Sequence, residues 1–448
     1  MTNFQWASKM NALPYGMLLI LSPLLLGTAV IFEPLLTVLA VSMVILLAVA
    51  ISRPELISYF ALLTTAISIN FLYPGSLFGV EILSLYKLVI VALLVPCILV
   101  SGLRFRLSHP LWVMVALVFI TFVFSIWLPQ MTSAIAIKAF IGLSLPFVFL
   151  LINWKKEVAE VHIRLICLLP AVSVLAGILL QAAHLHNLLD VEFTGAVRIQ
   201  GANIPAHLAM LAFIGVAVSF IEIKRNPQSQ RFYYMMLALN FLILIGTGTR
   251  GPILALVLML LYYFFDILRQ YLKGKTYFLI PLICSVLVIS AAVFMQMDNL
   301  KKRSFERSTE TGIDLSGRAE AWEFFLNKAS GSPWTGRGLG AVTVANDGTL
   351  YKGFVVPHNE YIRFYFDGGY IGAILLLLSL LAVFILIYRA LAPPVKPYYV
   401  LFIAAFLIYS FSDNTLSTVQ FIIPFCWYLN CLYRSSQQAD SPQKEVIR

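Results

Sequence analysis

The chain has 448 residues, 60% of them hydrophobic and only 12% charged, with a formal net charge of +10 and a mean hydropathy of +0.89. Such a composition excludes a soluble globular domain of this length. It does not point to nucleic acid either, because most basic residues sit in short loops beside apolar segments, where membrane orientation accounts for them.

Apolar runs of 18 residues or more recur, each long enough to cross about 30 Å of hydrocarbon. No water is present there to satisfy backbone groups, so the runs must be helices. An all-α polytopic membrane protein is expected. The polar segment Met1 to Asn11 carries one lysine. The first apolar stretch then leads into the second without a small-residue cleavage site, so a removable signal peptide is not expected. Spans are predicted near 15–32, 34–51, 56–73, 84–103, 110–128, 132–152, 163–183, 204–223, 232–248, 251–268, 277–297, 368–388, 397–411 and 416–433. The pair joined at Glu33-Pro34 and the pair around Arg250 are each tight enough to be one re-entrant unit, which gives about 12–14 transmembrane helices. The predicted organisation is a membrane bundle over 1–297, an outward loop with short helices over 298–367, membrane helices over 368–433 and a Ser/Gln-rich disordered cytoplasmic tail over 434–448.

Lysine and arginine distribute unevenly about these spans. Leaving out the long loop, eighteen fall on one side and only Lys87, Lys138, Arg198 and Arg250 on the other. By the positive-inside rule both termini are cytoplasmic and the long loop faces outward. The five cysteines (Cys97, Cys167, Cys284, Cys426, Cys431) all lie in apolar segments, which argues against a disulfide framework or a thiolate metal site.

Within the long loop Asp314 or Ser316 can cap a helix on which Trp322, Phe325 and Leu326 recur at helical spacing. The stretch from Gly331 to Gly340 is too turn-rich for helix. From about Pro357 the chain turns helical again, with His358 and Asn359 expected in the first turn of a helix that leads into the next span.

Four outward positions carry chemistry: Arg198, Arg250, Arg318 and His358. Arg250 lies in TGTRG at a hairpin apex, with no Asp or Glu near it in sequence. An arginine there costs a few kcal/mol unless paired or hydrated. It either snorkels to lipid headgroups or meets a ligand phosphate, for which its planar fork is suited. Arg318, in the first turn of its helix, would add a further fork, unless it makes a surface salt bridge with Glu320 or Glu323. His358 suits a general base near neutral pH, and structural roles are open to it as well. His184, His186 and His207, also on the outer side, are equal candidates on residue type alone; His184 and His186, spaced i and i+2, read as ordinary loop residues. No carboxylate pattern suggests a metal.

Together these pieces resemble the bacterial O-antigen ligase and O-antigen polymerase family. The matching stretches are R-x-x-G (Arg198 to Gly201), T-x-T-R-G (Thr247 to Gly251), G-R-x-x-x-W (Gly317 to Trp322), P-W-x-G-x-G-x-G (Pro333 to Gly340) and HN-x-x-I (His358 to Ile362), followed by D-G-G-Y-I-G before a span. The first 190 residues agree only in being hydrophobic. The resemblance implies a GT-C-type membrane fold of the kind used by lipid-phosphosugar transferases. It implies an inverting, metal-independent glycosyltransferase without cofactor in the bacterial inner membrane. The donor would be a glycan on undecaprenyl diphosphate, and the site would face the periplasm. By that analogy Arg198, Arg250 and Arg318 bind the diphosphate and His358 deprotonates or orients the acceptor hydroxyl. Asn359, Trp322 and Asp413 would support the site, although Asp413 also suits a plain loop cap.

A ligase would transfer to lipid A–core, a polymerase to the next lipid-linked repeat, and a relative to protein. One long outer loop late in the chain, followed by three spans, favours the ligase. A transporter or flippase of lipid-linked glycan is the rival class. It calls for ionisable groups near the bilayer midplane, whereas here they sit almost entirely at span ends.

Overall fold

The computed structural model describes residues 44–45, 48–49, 52–72, 75–77, 80–103, 112, 124–192, 195–305, 318–346 and 356–437. It divides into two units, one of residues 1–64 and 75–103, the other of 65–74 and 104–448. In chain order the elements are α1 (Pro54–Thr64), α2 (Ile69–Leu72), a two-stranded hairpin β1 (Ser76–Leu77) and β2 (Val80–Glu81), α3 (Ile82–Ser101), α4 (Ser133–Val148) and α5 (Lys156–Ala182). A second hairpin, β3 (Leu189–Val191) and β4 (Val197–Ile199), precedes α6 (Pro205–Arg225), α7 (Gln230–Gly246), α8 (Arg250–Leu272) and α9 (Leu279–Phe305). Then come α10 (Arg318–Ala329), α11 (Glu360–Ala390), α12 (Lys396–Ser410) and α13 (Val419–Gln437).

The protein is an all-α polytopic membrane protein, with only two short antiparallel hairpins among the described residues. Five of its helices, α3, α5, α6, α8 and α11, are long and apolar enough to cross a membrane. Helix occupies eleven of the fourteen expected spans, while those at 15–32, 34–51 and 110–128 fall largely outside the described residues. Asp314, Ser316 and the Glu33-Pro34 join lie outside them as well.

The expected span at 56–73 is broken. α1 stops at Thr64, and the chain turns before the single turn of α2. In the second unit Ser68 explains the break: its N–H bonds Ala202 O and its hydroxyl bonds Asn203 Oδ1, so backbone and side chain are committed outside a helix. At the other end of the chain, α9 runs on to Phe305 and α11 begins at Glu360, so helix continues past both edges of the segment expected at 298–367.

α6 is the axis of the second unit, buried along nearly its whole length and packed by α5, α7 and α13. Small residues let the backbones approach. A Cβ on Gly215 would lie 2.4 Å from Asn240 Nδ2 of α7, and one on Gly177 would meet the backbone of Gly201 at 2.4 Å. The end of α6 at Arg225 is held by charge. Arg225 forks onto both oxygens of Glu160 at 2.7 Å, and its Nε donates to Glu222, itself bonded by the Tyr428 hydroxyl. Lys224 pairs with Asp266 of α8. The other end of α6, about 30 Å away along 21 residues, carries the candidate site. All five cysteines are free thiols.

Candidate active site

The site is assembled at one end of the second unit from five pieces of chain. The first is the β3–β4 hairpin, where Arg198 stands opposite Asp190. The sequence read this segment only as a loop; Val197 and Ile199 flanking Arg198 carry the alternation that marks a strand. Arg198 Nε donates to Thr247 O at 2.8 Å, an Nη donates to Thr249 Oγ1 at 3.1 Å, and the other lies 3.9 Å from Glu192. It thereby grips the turn that presents Arg250.

That turn is the second piece. Gly248 adopts φ +60, which a side chain would disfavour, and Thr249 precedes α8, so Arg250 is the first helical residue. Gly251 lets this helix start abut the loop after α12, since a Cβ there would stand 2.6 Å from Ser412 Oγ. The TGTRG motif therefore serves backbone proximity as much as the arginine.

The third piece is the start of α10. Arg318 opens that helix with its Nε buried and lacking a hydrogen-bond partner. Its charge acts on Asp413. No ion pair joins it to Glu320 or Glu323 among the described residues, and both carboxylates are exposed, so the surface salt-bridge alternative is not what the structure contains. Trp322 Nε1 donates to Pro357 O at 2.8 Å and the ring meets Phe411 edge-on at 5.1 Å. It pins α10 to the two remaining pieces.

The fourth piece, the turn before α11, departs from expectation. Asn359 is the helix cap rather than a first-turn residue: its Oδ1 accepts the N–H groups of Tyr361 and Ile362 at 3.0 and 3.2 Å. His358 stands ahead of the cap at φ +49, in the left-handed region. A non-glycine residue held there costs about 1–3 kcal/mol and persists only where its surroundings fix it. The fixing group is the fifth piece, the α12–α13 loop. His358 Nδ1 lies 3.3 Å from Asp413 Oδ1 and 3.3 Å from Asn414 Nδ2.

Asp413 is buried and also accepts the Asn414 N–H at 2.8 Å and the Tyr409 hydroxyl at 3.5 Å. It caps its loop as expected and orients the histidine besides. Burial alone would raise its carboxyl, but the hydrogen bond and charge of His358, the Asn414 N–H and the charge of Arg318 hold it below the ordinary carboxylate value. A lowered value means the stabilising contacts are complete above the unfolded carboxylate range and are lost only as pH falls through the folded value. Asp413 is thus ionised at neutral pH. An ionised carboxylate only accepts, and a charge-assisted bond outweighs a neutral one. The proton therefore sits on Nδ1, and Nε2 is the basic nitrogen of the partly exposed ring.

Two neighbours join the site: Glu360, which the sequence did not single out, and His207, a candidate on residue type alone. Glu360 is buried and holds the same α12–α13 loop, accepting the Leu416 N–H at 2.6 Å while pairing with Arg363 at 2.9 Å. His207, in the first turn of α6, bonds Ser68 Oγ through Nδ1 at 2.9 Å and lies within electrostatic reach of Asp413 and His358. His184 and His186 are loop residues as read, His186 meeting Asn203 O at 3.2 Å. Among the described residues no group of three His, Cys, Asp or Glu side chains is placed to hold a metal ion.

The glycine-rich stretch and the D-G-G stretch turn out to be one structural lock. At Gly369 α11 breaks into φ +62, and the loop before it supplies the missing partners: Tyr370 N donates to Pro333 O at 2.8 Å and Ile371 N to Trp334 O at 3.2 Å. Buried Asp367 accepts the N–H groups of Gly340 and Val342, both at 2.9 Å. A Cβ on Gly369 would sit 2.3 Å from the Trp334 backbone and occupy a left-handed position. Gly369→Ala is accordingly expected to destabilise the protein by more than about 2 kcal/mol, visible as a thermal-melting shift of several degrees in detergent. An unchanged melting curve would mean that the lock contributes nothing.

Residues 235–377 match the family model described as O-antigen ligase. No curated protein matches the chain. The matched stretch contains Arg250, Arg318, Trp322, His358 and the lock, whereas Arg198 and Asp413 lie outside it and join through the contacts above. The match spans about a third of the chain, and over that stretch the protein is similar to the O-antigen ligase family.

Proposed function

We propose that the protein is an O-antigen ligase: it transfers a glycan from undecaprenyl diphosphate to lipid A–core at the periplasmic face of the bacterial inner membrane, with inversion at the anomeric carbon. The observation that carries this reading is the convergence of Arg198, the Arg250 turn, Arg318 and the His358–Asp413 pair at one end of the second unit. The arginine forks neutralise the diphosphate and stabilise it as it leaves. His358 Nε2 takes the proton of the acceptor hydroxyl as that oxygen bonds to the anomeric carbon. The bond from that carbon to the diphosphate oxygen breaks on the opposite face. Asp413 holds the tautomer and balances the charge that develops on the ring.

In this reading fixed arginine charge does the work a divalent ion does elsewhere. Adding a chelator is expected to leave turnover unchanged, measured with purified protein, donor and acceptor; a loss restored by a divalent cation would overturn that part of the mechanism.

Deleting the encoding gene and examining the surface glycan tests the acceptor. Loss of all long glycan from the core is the result expected of a ligase. A core still bearing a single repeat would instead make the protein a polymerase.

A further inference from the structure

Away from the site, α7, α8 and α9 enclose a cavity of 660 Å³, in the size range of ligand pockets. Its walls are the apolar and aromatic faces of Phe241, Tyr263, Phe264 and Ile280. It lies toward the end of the bundle where Arg225 and Lys224 make their ion pairs, and it includes Arg231, an exposed residue of the first turn of α7. The hydroxyl-bearing residues Tyr234, Tyr263 and Ser285 also line it, so the interior has a few polar groups inside an oily shell.

Charge separates this cavity from an ordinary lipid-facing groove. Among the described residues no carboxylate pairs with Arg231, and the nearby Asp266 is already engaged by Lys224 and by the Tyr398 hydroxyl. Lys273 and Lys275 lie just before Tyr277, which lines the cavity and is largely exposed. A cavity that is apolar within and cationic at its edge matches a molecule with a hydrocarbon chain and an anionic head.

We propose that this cavity binds one anionic phospholipid, with its phosphate on Arg231 and an acyl chain between α7, α8 and α9. The assignment does not depend on the transfer chemistry at the other end of the bundle. It places an anionic lipid against α8, the helix whose opposite end begins at Arg250.

Cys284 provides the readout, because it lines the cavity and is exposed, whereas the other four cysteines are buried. The full-length protein in neutral detergent would be treated with a maleimide, with labelling of Cys284 followed by mass spectrometry. The additive would be phosphatidylglycerol, phosphatidylcholine of the same acyl chains, or inorganic phosphate. Phosphatidylglycerol is expected to slow labelling about tenfold at one lipid per chain, with little effect from the other two. Arg231→Gln should remove most of that protection, and Ala238→Trp, which fills the cavity, should slow labelling without any lipid. Equal protection by phosphatidylcholine, protection by inorganic phosphate alone, or full protection retained in Arg231→Gln would overturn the assignment.

Discussion

Replacing Arg250 with lysine is expected to lower glycan transfer about 10²–10³-fold, the usual scale for removing one preorganised donor to a developing anion. The substitution keeps the positive charge, so long-range attraction for an anionic donor survives. What it removes is geometry. A guanidinium makes two parallel bonds to a phosphate, and an ammonium presents a point charge on a flexible stem. The structure leaves lysine little scope to compensate, because the turn is held from both sides, by Arg198 on Thr247 and Thr249 and by Ser412 beside Gly251. The variant should therefore fold and melt normally. Single-turnover transfer by purified protein checks this, and a fully active Arg250→Lys would remove the phosphate-clamp argument.

His358→Ala should abolish detectable transfer, a fall of about 10²–10⁴-fold, while leaving donor binding within about twofold of wild type. The split follows from the division of labour in the proposed mechanism, in which the arginines meet the donor's charge and the imidazole meets the acceptor. Alanine keeps a Cβ at φ +49 and gives up the contact to Asp413 that fixes the turn, so a modest fall in melting temperature is expected, and retained donor binding separates a lost base from a lost fold. Asp413→Asn is the sharper companion. An asparagine amide can donate to Nδ1, which moves the ring proton to Nε2 and removes the base without removing the ring. Turnover should drop at least about tenfold, with affinity for the donor kept. Persistent turnover in His358→Ala would show that another group takes the proton, and His207 would be the first to examine.

The sequence made the membrane helices legible because lipid imposes one rule on every span: apolar length with polar ends. It failed where local polar bonding beats that rule, as at Ser68, whose commitments to Ala202 and Asn203 end a helix inside an apolar run. The arginines and His358 were visible as residue types out of place in such a chain. Their convergence was not, because it depends on contacts spanning 49 to 55 residues of sequence, such as Arg198 with Thr247 and His358 with Asp413. Two of the matching stretches, P-W-x-G-x-G-x-G and D-G-G, join in the structure as backbone closure around the Gly369 break. Glu360 gave no signal of its own, since only the fold brings the Leu416 N–H to it.

The central claim is tested most directly by the affinity of the purified protein for undecaprenyl diphosphate, measured by titration for wild type and for Arg198→Gln, Arg250→Gln and Arg318→Gln. The account predicts that each substitution weakens binding at least about tenfold, the scale of losing one charge-assisted fork, while His358→Ala does not. Wild-type affinity in all three arginine variants would contradict it.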